Sequence, residues 1–227
     1  TYMSFFSQMD TYGDGYAGIG VWRAAFKPLV DRIADTDIRL QWFCCDRSTG
    51  VTDASGNRIT LIRDTQSPVA VEYQAVKFIG TGRDNIKAGV FSGWELGDYI
   101  YLRSEEAYMI KMEALAHKGS AEAVTELNSF MKTRQPDYNY TFTNKADLIE
   151  EIIYQKRVEF WGEGLEYIDN RRLNIPVDRT DETWGAENNN HFSAGKFRYN
   201  QEDRPFLYQL PLSEIENNSQ LSPSDQN

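Results

Sequence analysis

Apolar and polar positions follow two regimes along the chain, and the change comes near Tyr99. Ahead of it, only Val21 to Ala34 hints at a helical stripe, and glycines such as Gly13, Gly15, Gly50, Gly56, Gly80 and Gly89 break the rest into loops and short strands. Asp53 to Asn57 is turn chemistry followed by the β-rich Arg58-Ile59-Thr60-Leu61-Ile62, which predicts a hairpin. Beyond Tyr99, Tyr101, Tyr108, Met112 and Leu115 recur at helical spacing and Gly119 supplies a stop, predicting a helix over 101–117. Ser120 can cap a second helix striped by Val124, Leu127 and Met131 and ended by Pro136. Asn144 caps a third, with Asp147 in its first turn and Leu148, Ile149, Ile152, Ile153 and Phe160 along one side. Gly162 and Gly164 interrupt it before a shorter helix through Leu165, Ile168 and Arg172. Such closely spaced helices predict stacked helix pairs. After Ile175-Pro176 the pattern loosens through Asn188-Asn189-Asn190 into a long surface loop and a tail.

The expected fold is therefore mainly α, with helix pairs, an irregular loop-rich region and a few short strands. A domain can run to roughly 250 residues before its core splits, so residues 1–227 read as a single unit. Within it, 1–98 is the loop-rich part, 99–174 the helical scaffold and 175–227 the long loop and tail.

Composition sharpens this picture. Hydrophobic residues at 41% and charged residues at 26% are those of a chain that folds. The 13 Tyr, 12 Phe and 5 Trp exceed what the core needs, so some rings should face a ligand or partner. A net charge of -10 repels a phosphate backbone and argues against nucleic acid as a partner. Cys44 and Cys45 are neighbours, a strained geometry for a bridge, and imply no disulfide framework. No apolar run approaches the roughly 20 residues of a membrane span. The chain starts at Thr1 without a basic-then-apolar leader and reads as a mature, trimmed or partial chain.

Catalytic and cofactor motifs are weak. Gly13-Asp14-Gly15-Tyr16-Ala17-Gly18 fits a dinucleotide fingerprint but follows no clear strand, so it reads as a loop carrying an aromatic ring. His117 and His191 lie far apart without ligands at metal spacing, and His117 falls in the last turn of a helix, where a cap is the simpler role. No cofactor or metal is expected. The carboxylate pairs Glu105-Glu106, Glu150-Glu151 and Glu163 with Glu166 suit solvated helix faces better than a glycosidase, whose acids must face one bond. No nucleophile elbow, P-loop or Cys with a nearby His is visible, so no enzyme is expected.

Four runs carry a family resemblance. Asp98 to Ala114, with Tyr101-Leu102-Arg103 and Glu113-Ala114, resembles the helix written "yLRxAExyLixAEA" in SusD/RagB proteins. Gly119, Ala123, Leu127, Asn128 and Arg134 resemble the family's "G…A…LNxvRxR" helix. Gln155 to Arg172 is similar to "ERRxEFxxEGxRxxDLxR", with Gln155 and Glu166 standing where the family often has Glu and Arg. Leu210 to Asn218, with Leu221 and Asn227, resembles the closing "lPxxEixxNpxLxxN". Weaker echoes are Asp37-Ile38-Arg39 and Val76-Lys77-Phe78.

The resemblance implies a SusD-like fold with tetratricopeptide-type helix pairs, and a C-terminal portion of a protein about twice as long. It also implies an outer-membrane, surface-exposed lipoprotein, its lipid anchor outside this chain, that captures oligosaccharide without catalysis and hands it to a SusC-like TonB-dependent transporter. A helical protein-interaction scaffold and a peptide-capturing relative are the alternatives. On this reading Arg103, Glu159, Glu163, Asp169 and Arg172 form structural ion pairs between packed helices, because a buried charge requires a partner. Sugar contact falls to aromatic rings that can stack on C–H faces, and Tyr12, Tyr16, Trp22, Trp42 and Trp184 are the candidates.

Overall fold

The computed structural model describes residues 24–44, 73–75, 77, 101–204 and 207–225. The chain divides into two compact units, Thr1–Gly162 and Glu163–Asn227. The expected hairpin near Asp53 and the glycine-rich Gly13 loop lie outside the described residues.

In the first unit, α1 is the single turn Lys27–Asp31, started by Pro28, whose ring fixes φ where the first amide would lack a partner anyway. It is shorter than the stripe from Val21 predicts. A 3-10 turn, Ile38–Trp42, follows, with the Asp37 carboxylate accepting the Arg39 amide. The strands β1 (Phe43–Cys44) and β2 (Gln74–Ala75) pair antiparallel, Phe43 opposite Ala75. Three helices then form the scaffold: α2 (Ser104–His117), α3 (Glu122–Lys132) and α4 (Lys145–Glu159), with α2 packed against both others.

The buried face of α2 is Met109, Met112 and Ala116, so of the stripe read from the sequence Met112 is buried and Leu115 half-buried, and the two tyrosines are not part of it. Tyr101 and Tyr108 are exposed, and Tyr108 meets Phe130 of α3 near the surface at 6.4 Å. Ala123, Leu127 and Met131 are the buried stripe of α3, and Leu148, Ile152, Ile153 and Val158 that of α4. The α2–α3 turn is a Schellman closure: the Ser120 amide donates to the Leu115 carbonyl and the Gly119 amide to that of Ala116, with Gly119 at φ 71°. Asn144 accepts the Asp147 amide at 3.0 Å, while its own amide donates to the Asp147 carboxylate at 2.7 Å. A second core, Val30, Ile33, Leu40, Phe43 and Ala75 with Tyr154 and Val158, ties the 24–44 segment onto α4.

The second unit starts with α5 (Leu165–Leu173), entered through Gly164 at φ 84° and left through Asn174 at φ 55°. The strands β3 (Val177–Asp178) and β4 (Arg198–Tyr199) pair antiparallel and bracket the one-turn helix α6 (Asp181–Trp184). The last α-helix among the described residues is α7 (Leu212–Asn217), followed by a 3-10 turn, Pro223–Asp225. The segment expected as one long surface loop is thus a pinned ribbon. Asn189 is buried and donates both to the Arg179 carbonyl at 3.0 Å and to Asp181 at 2.8 Å. Among the described residues no helix is long and apolar enough to cross a membrane.

Candidate functional site

Among the described residues of the first unit, a dense polar cluster centres on Glu159, at the end of α4. Its carboxylate accepts from Arg103 at 3.0 Å, from Arg134 at 3.2 and 3.3 Å, and from Arg39 at 3.4 Å. Arg39 is 2% exposed, and its fork is held by Asp37 at 2.7 and 3.0 Å. Burial opposes the charge of both groups. For Glu159 that burial is outweighed by the hydrogen bonds and charge of Arg134, with Arg39 and Arg103 adding to them, so its carboxyl sits below the ordinary value. For Arg39 burial is likewise outweighed, by Asp37 and Glu159, and its guanidinium is raised. Both groups are held in their charged forms, an arrangement that clasps α4 to the chain around it.

Gln155 joins the cluster as a neutral bridge: its carbonyl oxygen accepts from Arg39 and its amide donates to Glu151 at 2.7 Å. A glutamate there could not donate. Lys77 closes the far side, donating to the backbone carbonyls of Glu159 at 2.6 Å and Trp161 at 3.1 Å.

Beside this clasp lies an open cleft of about 430 Å³, bounded by residues 32–37, the loop 135–140 and the Glu151–Gln155 face of α4. Its walls are tied to one another. The Thr36 hydroxyl donates to Asp137 at 2.6 Å, and the Tyr138 hydroxyl to Glu151 at 2.9 Å. Asn128 holds both the amide and the carbonyl of Tyr140, at 2.7 and 3.0 Å. Burial first, then the neighbouring Glu151 carboxylate, pushes the Tyr138 phenol well up, so it remains a donor.

In the second unit Asp178 organises the ribbon. It accepts from the Thr180 amide and hydroxyl, from Thr183 and from Arg198, at 2.6 to 3.0 Å. Partial burial alone would raise its carboxyl, but these donors hold it at about 2.

Of the aromatic candidates, Trp184 stands on this ribbon, its indole N–H donating to the Asp178 carbonyl at 3.0 Å and 37% of the residue exposed. Trp42 packs on the core of the first unit, with the Lys77 ammonium over its ring at 4.7 Å, which occupies one face. Tyr12, Tyr16 and Trp22 lie outside the described residues. Of the charged candidates, Arg103 and Glu159 meet across elements of the first unit. Asp169 and Arg172 meet at 2.7 Å within the single helix α5, and Glu163 is half-buried at the start of the second unit. Asp37, Arg39 and Lys77 carry roles that spacing alone did not disclose. Their signal was the pair of short echoes, Asp37-Ile38-Arg39 and Val76-Lys77-Phe78, in a region without periodicity.

No curated protein sequence matches the chain. Among solved structures, it is similar to a SusD-like carbohydrate binding protein from Bacteroides vulgatus ATCC 8482, with a TM-score of 0.63 and 22% identity, over 95% of this chain and 44% of that one. The chain thus shares that fold while spanning less than half of that relative's length. Residues 73–227 match the sequence profile of the SusD family, and they include the helical scaffold, Glu159 with its partners Arg103 and Arg134, and the Asp178 ribbon, while Asp37 and Arg39 lie ahead of the match. The chain belongs to the SusD family.

Proposed function

We propose that this protein captures oligosaccharide at the bacterial outer-membrane surface without cleaving it, and passes it to a SusC-like TonB-dependent transporter. The observation that carries this reading is the family match over 73–227, joined to the shared fold with a protein described as carbohydrate-binding. The charge arrangement supports the non-catalytic part. Glu159 is engaged by three guanidiniums and Asp178 by four hydrogen bonds, so neither resembles the proton-donating acid of a glycosidase. Capture itself requires only apolar ring faces and hydrogen-bonding groups.

Tyr12, Tyr16, Trp22, Trp42 and Trp184 are proposed as the rings that meet sugar. Trp184 has the best-supported geometry of these, since its N–H is satisfied by backbone while over a third of its surface remains open. Changing all five to alanine in the intact protein should weaken glycan affinity at least tenfold in calorimetry. Wild-type affinity in that variant would refute the assignment.

A further inference from the structure

The cleft beside the Glu159 clasp is unaccounted for by the five aromatic positions, and it has the features of a built site. It is preformed: the Thr36 to Asp137, Tyr138 to Glu151 and Asn128 to Tyr140 hydrogen bonds fix its walls to three different parts of the unit. At about 430 Å³ it falls within the size range of small-ligand pockets.

Its chemistry is mixed. Asp137 is exposed at the rim, and the Thr36 hydroxyl and the Gln135 side chain hold its carboxyl below the ordinary value, so it stays an acceptor with lone pairs beyond the one Thr36 uses. Exposed Asn139 and half-buried Gln135 bring amides that both donate and accept. The Arg32 guanidinium sits over the Tyr154 ring at 3.9 Å and donates to Glu151 at 2.6 Å, presenting further N–H groups. Alternating donors and acceptors match neighbouring hydroxyls, each of which donates and accepts. Stacking on Tyr154 is blocked on the face that the Arg32 guanidinium covers, and the Tyr138 ring is buried, which leaves hydrogen bonding as the main route.

Charge narrows the ligand class. Among the described lining residues Arg32 is the single cation, set against Asp37, Asp137 and Glu151. Asp37 is consumed by Arg39, which leaves an acidic balance that disfavours uronates and other anionic sugars. A polycation is disfavoured as well, since Glu151 is already engaged by Arg32, Gln155 and Tyr138.

We propose that this cleft is a subsite for a neutral, hydroxyl-rich sugar unit, read by hydrogen bonds and not by ring stacking. The inference rests on the capture reading and adds to it a second contact point with its own selectivity.

The test is calorimetry of the intact protein with maltotriose, mannotriose and xylotriose as neutral probes, and with trigalacturonate and trilysine as charged ones. The double variant Asp137→Asn with Asn139→Ala changes only exposed side chains, and the asparagine keeps an oxygen for Thr36. Its melting point should stay at the wild-type value. Expected is binding of at least one neutral trisaccharide that this variant weakens tenfold or more, while Trp184→Ala leaves the cleft component in place. Neutral-sugar binding that is unchanged in the double variant but lost in the five-aromatic variant overturns the cleft alone. Tighter binding of trigalacturonate or trilysine overturns the neutral-ligand assignment, and no heat from any neutral probe overturns the subsite, whereas the capture reading falls only with silence across a wider oligosaccharide panel.

Discussion

Glu159 is 2% exposed and faces Arg39, Arg103 and Arg134, so removing its charge strands guanidiniums that the surrounding chain cannot hydrate. Glu159→Gln should cost about 3–5 kcal/mol in urea unfolding at neutral pH, the range for breaking a buried ion pair. The same change at exposed Glu150, 3.7 Å from Arg32, should stay within about 1 kcal/mol. The pH dependence has a definite sign. Because the folded carboxyl of Glu159 lies below its ordinary 4.5, the unfolded chain takes up the proton first as pH falls. Its contribution is whole above that value and is lost as pH drops through the folded pKa, so wild type should lose urea resistance below pH 4.5 more steeply than Glu159→Gln. Tyr140 behaves in the opposite way. Its hydroxyl is buried with no hydrogen-bond partner among the described residues, so Tyr140→Phe should leave the unfolding midpoint unchanged or raise stability by up to about 1 kcal/mol. Spacing and resemblance marked Arg103 and Glu159 for ion pairing, but not that Glu159 takes two further guanidiniums. Arg39 arrives from a stretch of the chain with no periodic pattern, and partners 120 residues apart leave no local trace.

At the scale of elements, caps and stops were the most legible features. Asn144 is the cap of α4 and Gly119 the stop of α2, because both act through local backbone chemistry. Asn144→Ala should cost about 1 kcal/mol, seen as a lower urea midpoint. Gly164 enters α5 at φ 84° with nothing near the position of an added Cβ, so Gly164→Ala tests backbone strain alone and should cost about 1–2 kcal/mol. Less legible was which face of a helix is buried. The large Tyr108 of α2, with Tyr101 ahead of the helix, drew attention away from Met109 and Ala116, since a tyrosine satisfies an apolar stripe and a wet surface equally well. The ribbon from β3 to β4 was illegible for another reason: Asp178 and Asn189 fix it through side-chain bonds to backbone, which composition reads as loop.

For the molecule as a whole, the mainly α fold was legible from the helical half of the sequence, and the division after Gly162 coincides with the glycine pair that breaks the helical pattern. The proposed capture role draws on both units, with Trp184 on the Asp178 ribbon and the hydrogen-bonding groups of the α4 cleft as separate proposed sugar contacts. Its most direct test is isothermal calorimetry of the intact protein against plant, host and microbial oligosaccharides, with product analysis of the same mixtures after long incubation. The account predicts saturable binding of at least one oligosaccharide recovered uncut; cleavage products, or no binding across the panel, would contradict it.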